Sequence, residues 1–441
     1  WGSPDFTGES EGGDAVRIAM ASYGTRGDVE PSVAVGRELQ HRGHDVRLAV
    51  PPDLVGFAED AGLTAVPYGT EIAPKLEAYR NLWTTGTRGL FSAERGNRIR
   101  EEASAVYTQQ WDTEQWEQLT ATLVSLADGA DVISTSVGYD AAVANVAEYQ
   151  GIPFVALHTF PWRPNGRLFR LSPPPLTRTG MVVYDWMAWQ LSRKAEEQQR
   201  LELGLPPARR PLSLRVADRR VLEIQAYDAV CFPGLREEWS GRLPRRPFVG
   251  ALTMELVTGA EDEVRSWIET GSPPIGFALG SIPVESPAET VRMIRTACAE
   301  LGERALICAG GTDMSDVPAS PDVKVVGAVN YGAVFPHCRA VVHQGGSGTM
   351  AAGLRAGVPA LALWTAGDQP FWGAQLKRLK VGTKRRLSAT TADTLIADLR
   401  RILAPDHAEH ARRIAAHMTE PAVSVAQAAD LMETHARIGT A

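Results

Sequence analysis

The residues best suited to chemistry lie between Val341 and Gln369, in VVHQGGSGTMAAGLRAGVPALALWTAGDQ. Gly345, Gly346 and Gly348 leave room for a ligand to approach the main chain. Ser347 and Thr349 add hydroxyl donors, and His343, just ahead of the turn, can add a donor or a charge. The order of parts reads as a buried strand (Val341, Val342), a glycine-rich turn, a helix, and a second apolar strand from Pro359 to Trp364 that leads to Asp368 and Gln369. A helix that starts at such a turn offers free N–H groups and the positive end of its dipole to an anion. Taken singly, each part has a plainer reading: a tight turn, a structural histidine, a solvated strand end. Together, in this order, they read as a diphosphate cradle at 346–349 with His343, and a polar clamp one strand later.

Two series of strands and helices must position these groups. In the first, a strand at Val16 to Ala21 is followed by the GTRGD turn and a helix from about Val29 to Arg42. Gly43 ends that helix and Asp45 to Val50 forms the next strand, a βαβ unit of doubly wound type. Further strands are expected at Thr64 to Val66, Val132 to Ser134, Phe154 to Leu157 and Ala229 to Phe232, with a helix from Tyr139 to Tyr149. The second series has strands at Ile275 to Ala278, Arg304 to Cys308 and Val323 to Val325, and a helix from Ala288 to Leu301. From about Ala408 the chain reads as helical. Two segments look like insertions that could line a cleft: 81–116, rich in Arg, Trp and Gln, and 161–207, whose helix carries Tyr184, Trp186, Met187 and Trp189. Core packing is the plainer reading of that aromatic helix.

Bulk properties narrow the class. A chain of 441 residues with 44% hydrophobic and 22% charged residues can build two domains with sizeable cores. A net charge of −7 argues against a dedicated nucleic-acid binder. No apolar run is long enough to span a membrane, and no signal-peptide pattern stands near the start. Residues 1–13 read as a tag or disordered sequence. The four cysteines, Cys231, Cys298, Cys308 and Cys338, are scattered without a CxxC pair, which suits reduced thiols in a cytoplasm. No Asp-x-Asp motif is present.

HQGGSGTMAAGLRAGVPALALWTAGDQPFWGAQL resembles the nucleotide-sugar signature of the family 1 glycosyltransferases. The antibiotic, glycolipid and sterol branches typically carry two histidines where this chain has His343 and Gln344. RIAMASYGTRGDVEPSVAVGRELQHRGHDV resembles the opening of the same branch, so the likeness runs over nearly the whole chain from Val16. The resemblance implies an α/β GT-B fold, with two doubly wound Rossmann-like domains facing across a cleft. Residues 14–235 would be the acceptor-binding domain, 236–250 a linker, 251–405 the nucleotide-sugar-binding domain, and 406–441 C-terminal helices whose last member packs back on the N-terminal domain.

The resemblance also implies roles. Ser281, at a strand end in ALGS, would join His343, Gly346, Ser347, Gly348 and Thr349 in binding the diphosphate, although a helix cap is the plainer reading of this serine. Val329 and Asn330 would hold the nucleobase, and Asp368 and Gln369 the hydroxyls of the donor sugar. Asp28, in the first N-terminal turn, would be the general base. Asp is also a favoured helix N-cap, and Asp28 stands where a cap is wanted. Branches with a histidine base carry it near this turn, where Arg26 stands here. His158, at the end of a strand, is the alternative base. The implied activity is an inverting, metal-independent transfer of a hexose from a UDP- or dTDP-sugar, which is a substrate and not a cofactor. The acceptor would be a hydroxyl on an apolar polyketide, peptide antibiotic, glycolipid or sterol, with peripheral membrane association left open. Rival readings are a nucleotide-sugar 2-epimerase of the same fold and a non-catalytic binder of nucleotide sugars or lipophiles.

Overall fold

The computed structural model describes residues 15–74, 113–136, 138–169, 172–218, 221–255, 258–280, 286–310, 312 and 320–439. Residues 1–13, most of the 81–116 segment and Ser281 lie outside them.

The described residues form two parallel six-stranded sheets. The first has the order β3-β2-β1-β4-β5-β6, built from β1 (Arg17–Ala21), β2 (Asp45–Val50), β3 (Thr64–Pro67), β4 (Val132–Thr135), β5 (Phe154–His158) and β6 (Leu222–Gln225). The second has the order β12-β11-β10-β7-β8-β9, from β7 (Ile275–Ala278), β8 (Ala305–Cys308), β9 (Val323–Val326), β10 (Ala340–His343), β11 (Ala360–Trp364) and β12 (Gly382–Arg386). The central strands β4, β5, β7, β8 and β10, with β6, are buried end to end, as expected of parallel strands covered on both faces. In each sheet the order reverses beside the first strand, so a crevice opens at the carboxyl ends there. This is the α/β, two-domain GT-B architecture.

The helices used below are α1 (Arg26–His41), α2 (Asp140–Gln150), α3 (Pro174–Glu202), α4 (Pro287–Leu301), α5 (Tyr331–Val334), α6 (Ser347–Arg355), α7 (Gln369–Leu379), α8 (Pro405–Ala415) and α9 (Pro421–Gly439). Helix α9 leaves the second half and packs on α1, and its Ala428, Ala429 and Met432 complete the core on one face of the first sheet. A second shared core joins Phe160, Tyr227 and Phe232 of the first half to Trp372 and Leu376 of the second.

Four features differ from the sequence reading. Ala229 to Phe232 is not a strand. It holds a short 3-10 turn, Ala229–Cys231, and the sixth strand is Leu222–Gln225. Glu223 and Gln225 disguise that strand, and burial beside Arg163 and Arg246 is what makes the glutamate tolerable there. Helix α1 begins three residues earlier than its apolar pattern, with Thr25 as its N-cap, so Asp28 occupies the third helical position and not the cap. Strand β12 (GTKRR) was missed because an edge strand can carry charge, which blunts further pairing. On α3 the aromatic stretch is not core: Tyr184, Trp186 and Met187 are all more than half exposed.

The stretch 236–250 opens inside the short helix Leu235–Glu238, and its Trp239 is buried against Phe248. All four cysteines are free and buried. Among the described residues no helix is long and apolar enough to cross a membrane.

Candidate active site

A cavity of about 1610 Å³ lies between the halves. It is larger than the range of roughly 300–1,000 Å³ usual for one small ligand, so two substrates can share it. Thr25 to Asp28 of the first half face it, and so do Val329, Asn330, Ser347 to Thr349, Asp368 and Gln369 of the second.

The floor is the start of α6. Gly346 is its N-cap, and no side chain closes the helix end. The first N–H groups of α6 therefore remain for a ligand, with the dipole directed at it. The turn before it depends on Gly345, whose φ of +94° is costly for other residues. A Cβ there would also stand 3.2 Å from the Gln369 carbonyl oxygen. That close approach is what brings the phosphate turn and the Asp368–Gln369 pair side by side.

His343 does not line the cavity. It is 2% exposed at the end of β10, beneath the turn. Its Nδ1 accepts from the Gly345 N–H at 3.0 Å. Burial lowers its pKa to about 4, so the ring is neutral with its proton on Nε2. Of the two expected contributions, a donor or a charge, the neutral ring leaves no charge to offer; its Nδ1 supports the turn from behind and its buried Nε2 meets no partner among the described residues. Gln344 is the neighbour that reaches the cavity wall.

The expected sugar clamp lies where β11 hands over to α7. The Gln369 Oε1 accepts from the Thr365 N–H at 2.8 Å and the Thr365 hydroxyl at 2.9 Å, which leaves the amide NH₂ as the group it can offer to a ligand. Asp368 accepts from the Trp372 indole N–H at 3.0 Å. Burial first, and the negative charge of Asp28 second, raise the Asp368 pKa to about 7. The two carboxylates thus sense each other although they belong to different halves.

Asp28 is half-buried on the opposite wall. Its Oδ2 accepts from the Thr25 N–H at 2.8 Å and the Thr25 hydroxyl at 2.9 Å, the reciprocal half of a capping box. Burial raises its pKa above the usual carboxylate value, against the lowering effect of those two bonds. Gly24 permits this approach, since a Cβ there would stand 2.5 Å from Oδ2.

The alternative base, His158, is not on the cavity wall. It is 2% exposed, with Nε2 3.4 Å from a Glu223 carboxylate oxygen. Burial disfavours the charge on Glu223, but Arg163, His158 and Arg246 override it and hold the carboxyl far below its ordinary range. The next residues along, Thr159 and Trp162, are the ones that line the cavity.

At the expected nucleobase position, the Asn330 side chain caps α5 by accepting from Gly332 N at 2.8 Å, and its N–H donates to Glu261 at 2.8 Å. Asn330 is therefore largely committed to its own loop. Tyr331 lies stacked on Phe335 beside it, ring centroids 4.6 Å apart.

Glu30 and Trp372 escaped the sequence reading, which noted Arg26 only as standing where other branches carry a histidine. Arg26 and Glu30 line the cavity one helical turn apart, and Glu30 accepts from the Met254 N–H at 3.1 Å across the two halves. Trp372 stands behind Asp368. In both cases the signal was an i, i+4 pair on a helix beginning at the cleft.

Two family models match the chain. Glycosyltransferase family 28 N-terminal domain matches residues 18–167, and Erythromycin biosynthesis protein CIII-like, C-terminal domain, matches residues 293–433. An uncharacterized glycosyltransferase of Mycobacterium bovis is 53% identical, covering 96% of this chain and 99% of its own length. A sterol 3-beta-glucosyltransferase of Arabidopsis thaliana is 29% identical over 83% of this chain and 57% of its own. Among solved structures, the glycosyltransferase of kitacinnamycin superposes with a TM-score of 0.65 at 18% identity, covering 96% of this chain and 99% of that one. The glycosyltransferase VinC in complex with dTDP gives a TM-score of 0.61 at 19% identity, covering 96% and 100%.

Proposed function

Because this chain belongs to the GT-B glycosyltransferases of family 1, we propose that it transfers a hexose from a UDP- or dTDP-sugar, with inversion, to a hydroxyl of an apolar acceptor. One observation carries the reading: Asp28 faces, across a single cavity, an uncapped helix N-terminus and the Asp368–Gln369 pair. The acceptor oxygen attacks the anomeric carbon from the face opposite the diphosphate. Asp28 takes the hydroxyl proton as the new C–O bond forms. The bond from the anomeric carbon to the phosphate oxygen breaks, and the nucleoside diphosphate leaves with the electron pair. Its growing charge meets the N–H groups at the start of α6 and the hydroxyls of Ser347 and Thr349. Asp368 and Gln369 hold the sugar hydroxyls, and Val329 and Asn330 flank the base.

Metal independence is part of the proposal. It rests on the missing Asp-x-Asp motif and on α6 as the anion-stabilising element. The acceptor is proposed as a polyketide, peptide antibiotic, glycolipid or sterol, and the compartment as the cytoplasm. The glycosyltransferase of like fold that holds dTDP supports a nucleoside-diphosphate donor.

The test is Asp28→Asn, assayed by nucleotide release and product formation with UDP- and dTDP-hexoses. The amide keeps the size and part of the hydrogen bonding. Transfer is expected to fall by roughly 10²–10⁴-fold, the scale of general-base catalysis, with nucleotide affinity and melting temperature little changed. Wild-type turnover in this variant would refute Asp28 as the base.

A further inference from the structure

Trp372 lies on α7, one turn after Asp368, and is 2% exposed. Its two ends do different things. The indole N–H donates to Asp368 Oδ2 at 3.0 Å. The ring sits among aromatic side chains of the first half, with centroids 5.0 Å from Phe232, 6.0 Å from Phe160 and 6.4 Å from Tyr227. Phe371 adds a second wedge, 5.7 Å from Phe160 and 5.7 Å from Phe169. A buried indole N–H needs an acceptor, and here the acceptor is a carboxylate that lines the cleft. The N–H to carboxylate bond is charge-assisted, and so both directional and strong.

We propose that Trp372 is a positioning residue that fixes the orientation and ionisation of the Asp368 carboxylate and ties both to the docking of the two halves. This rests on the reading of Asp368 as part of the donor-sugar clamp. The carboxylate must be ionised to accept from two sugar hydroxyls at once. Burial and Asp28 both work against that ionisation, and the Trp372 N–H is the side-chain donor that favours it. Of the other charged groups near Asp368, Lys384 of β12 bonds the Pro370 carbonyl oxygen, Arg378 bonds the carbonyl oxygens of Arg167 and Pro233, Lys377 is in the last turn of α7, and Arg26, Glu30 and Arg386 line the same cavity. His343, beneath the neighbouring turn, is neutral.

The experiment compares Trp372→Phe, Asp368→Asn and the double variant, by kcat/KM for a nucleotide sugar between pH 5 and 9 and by affinity for the free nucleoside diphosphate. Phe keeps most of the aromatic packing and removes the N–H. The expected loss in kcat/KM is roughly 10- to 100-fold, the worth of a hydrogen bond to a charged group. Free nucleotide affinity should stay as in the wild type, and the acid limb of the pH profile should move to higher pH. In the Asp368→Asn background the same substitution should have little further effect, because the residues act as a unit. Additive losses with an unmoved acid limb would overturn the proposal and leave Trp372 as packing only. If Asp368→Asn itself weakens free nucleotide and nucleotide sugar alike, the sugar-clamp reading fails instead, so the two failures are distinct. If Trp372→Phe melts too low to assay, Phe160→Leu loosens the same wedge with the N–H intact. An unmoved acid limb and undiminished sugar affinity there would overturn the tie to docking.

Discussion

Asp28 and Asp368 each meet a local need and a shared one. Asp28 secures the start of α1 through Thr25, and Asp368 anchors an indole, yet both carry pKa values raised by burial at the same cavity. Raised carboxylates act against folding once ionised. The ordinary value for Asp368 is 3.8 and its folded value about 7. Stability from keeping this group protonated is therefore present below the unfolded pKa and lost as pH rises through the folded one. Asp368→Asn removes that penalty. Its melting temperature should match the wild type near pH 4, rise above it progressively toward pH 7, and hold a constant excess at higher pH. Thermal melts across that range check it, and an excess that shrinks with pH would contradict the raised pKa. Such a gain paired with lost transfer is the usual trade at a functional carboxylate.

At the scale of elements, the site depends on one strand–turn–helix unit. Parallel pairing of β10 with β7 and β11 sets His343 level with Ala278 and Ala362, and the chain must then reverse sharply into α6. Gly345 makes that reversal and His343 holds its N–H from below. Gly345→Ala would strain the turn and press a methyl toward the Gln369 carbonyl. Affinity for UDP or dTDP is expected to fall roughly tenfold or more, in line with a penalty of about 1–3 kcal/mol for a residue held at positive φ. Isothermal titration with free nucleotide would measure it. Unchanged affinity in a folded variant would mean that the turn does not form the diphosphate site.

At the scale of the molecule, the two walls of the cleft are held by contacts distant in sequence. Arg42, at the end of α1, reaches Glu38 on its own helix and Asp430 and Glu433 on α9, at 2.8, 2.6 and 3.0 Å. It thereby fastens the C-terminal helix to the helix that carries Asp28. These pairs are partly exposed, so Arg42→Ala should cost about 1 kcal/mol or somewhat more for a network. The wild-type melting temperature should drop toward that of the variant in high salt, because screening weakens the same pairs. A salt-independent difference would assign the loss to the packing of the arginine stem instead.

The glycine turn, the GTRGDVEP opening and the Asp-Gln pair were legible in the sequence because backbone geometry and ligand chemistry demand those residue types at those places. The two doubly wound series were legible too, because buried parallel strands write themselves as short apolar runs. The sixth strand of the first half was not, since Glu223 and Gln225 look like loop residues until Arg163 and Arg246 are seen beside them. Side-chain direction was likewise decided only by the fold. His343 and His158 stand at strand ends facing the right cleft in sequence, and both turn into the interior instead. The link between Asp28 and Asp368 across 340 positions, and the indole that steadies one of them, exist only because burial of α7 and α9 against the first half brings the two walls together. Local pattern records what one segment needs from its own backbone, whereas protonation and orientation depend on neighbours that only tertiary packing supplies.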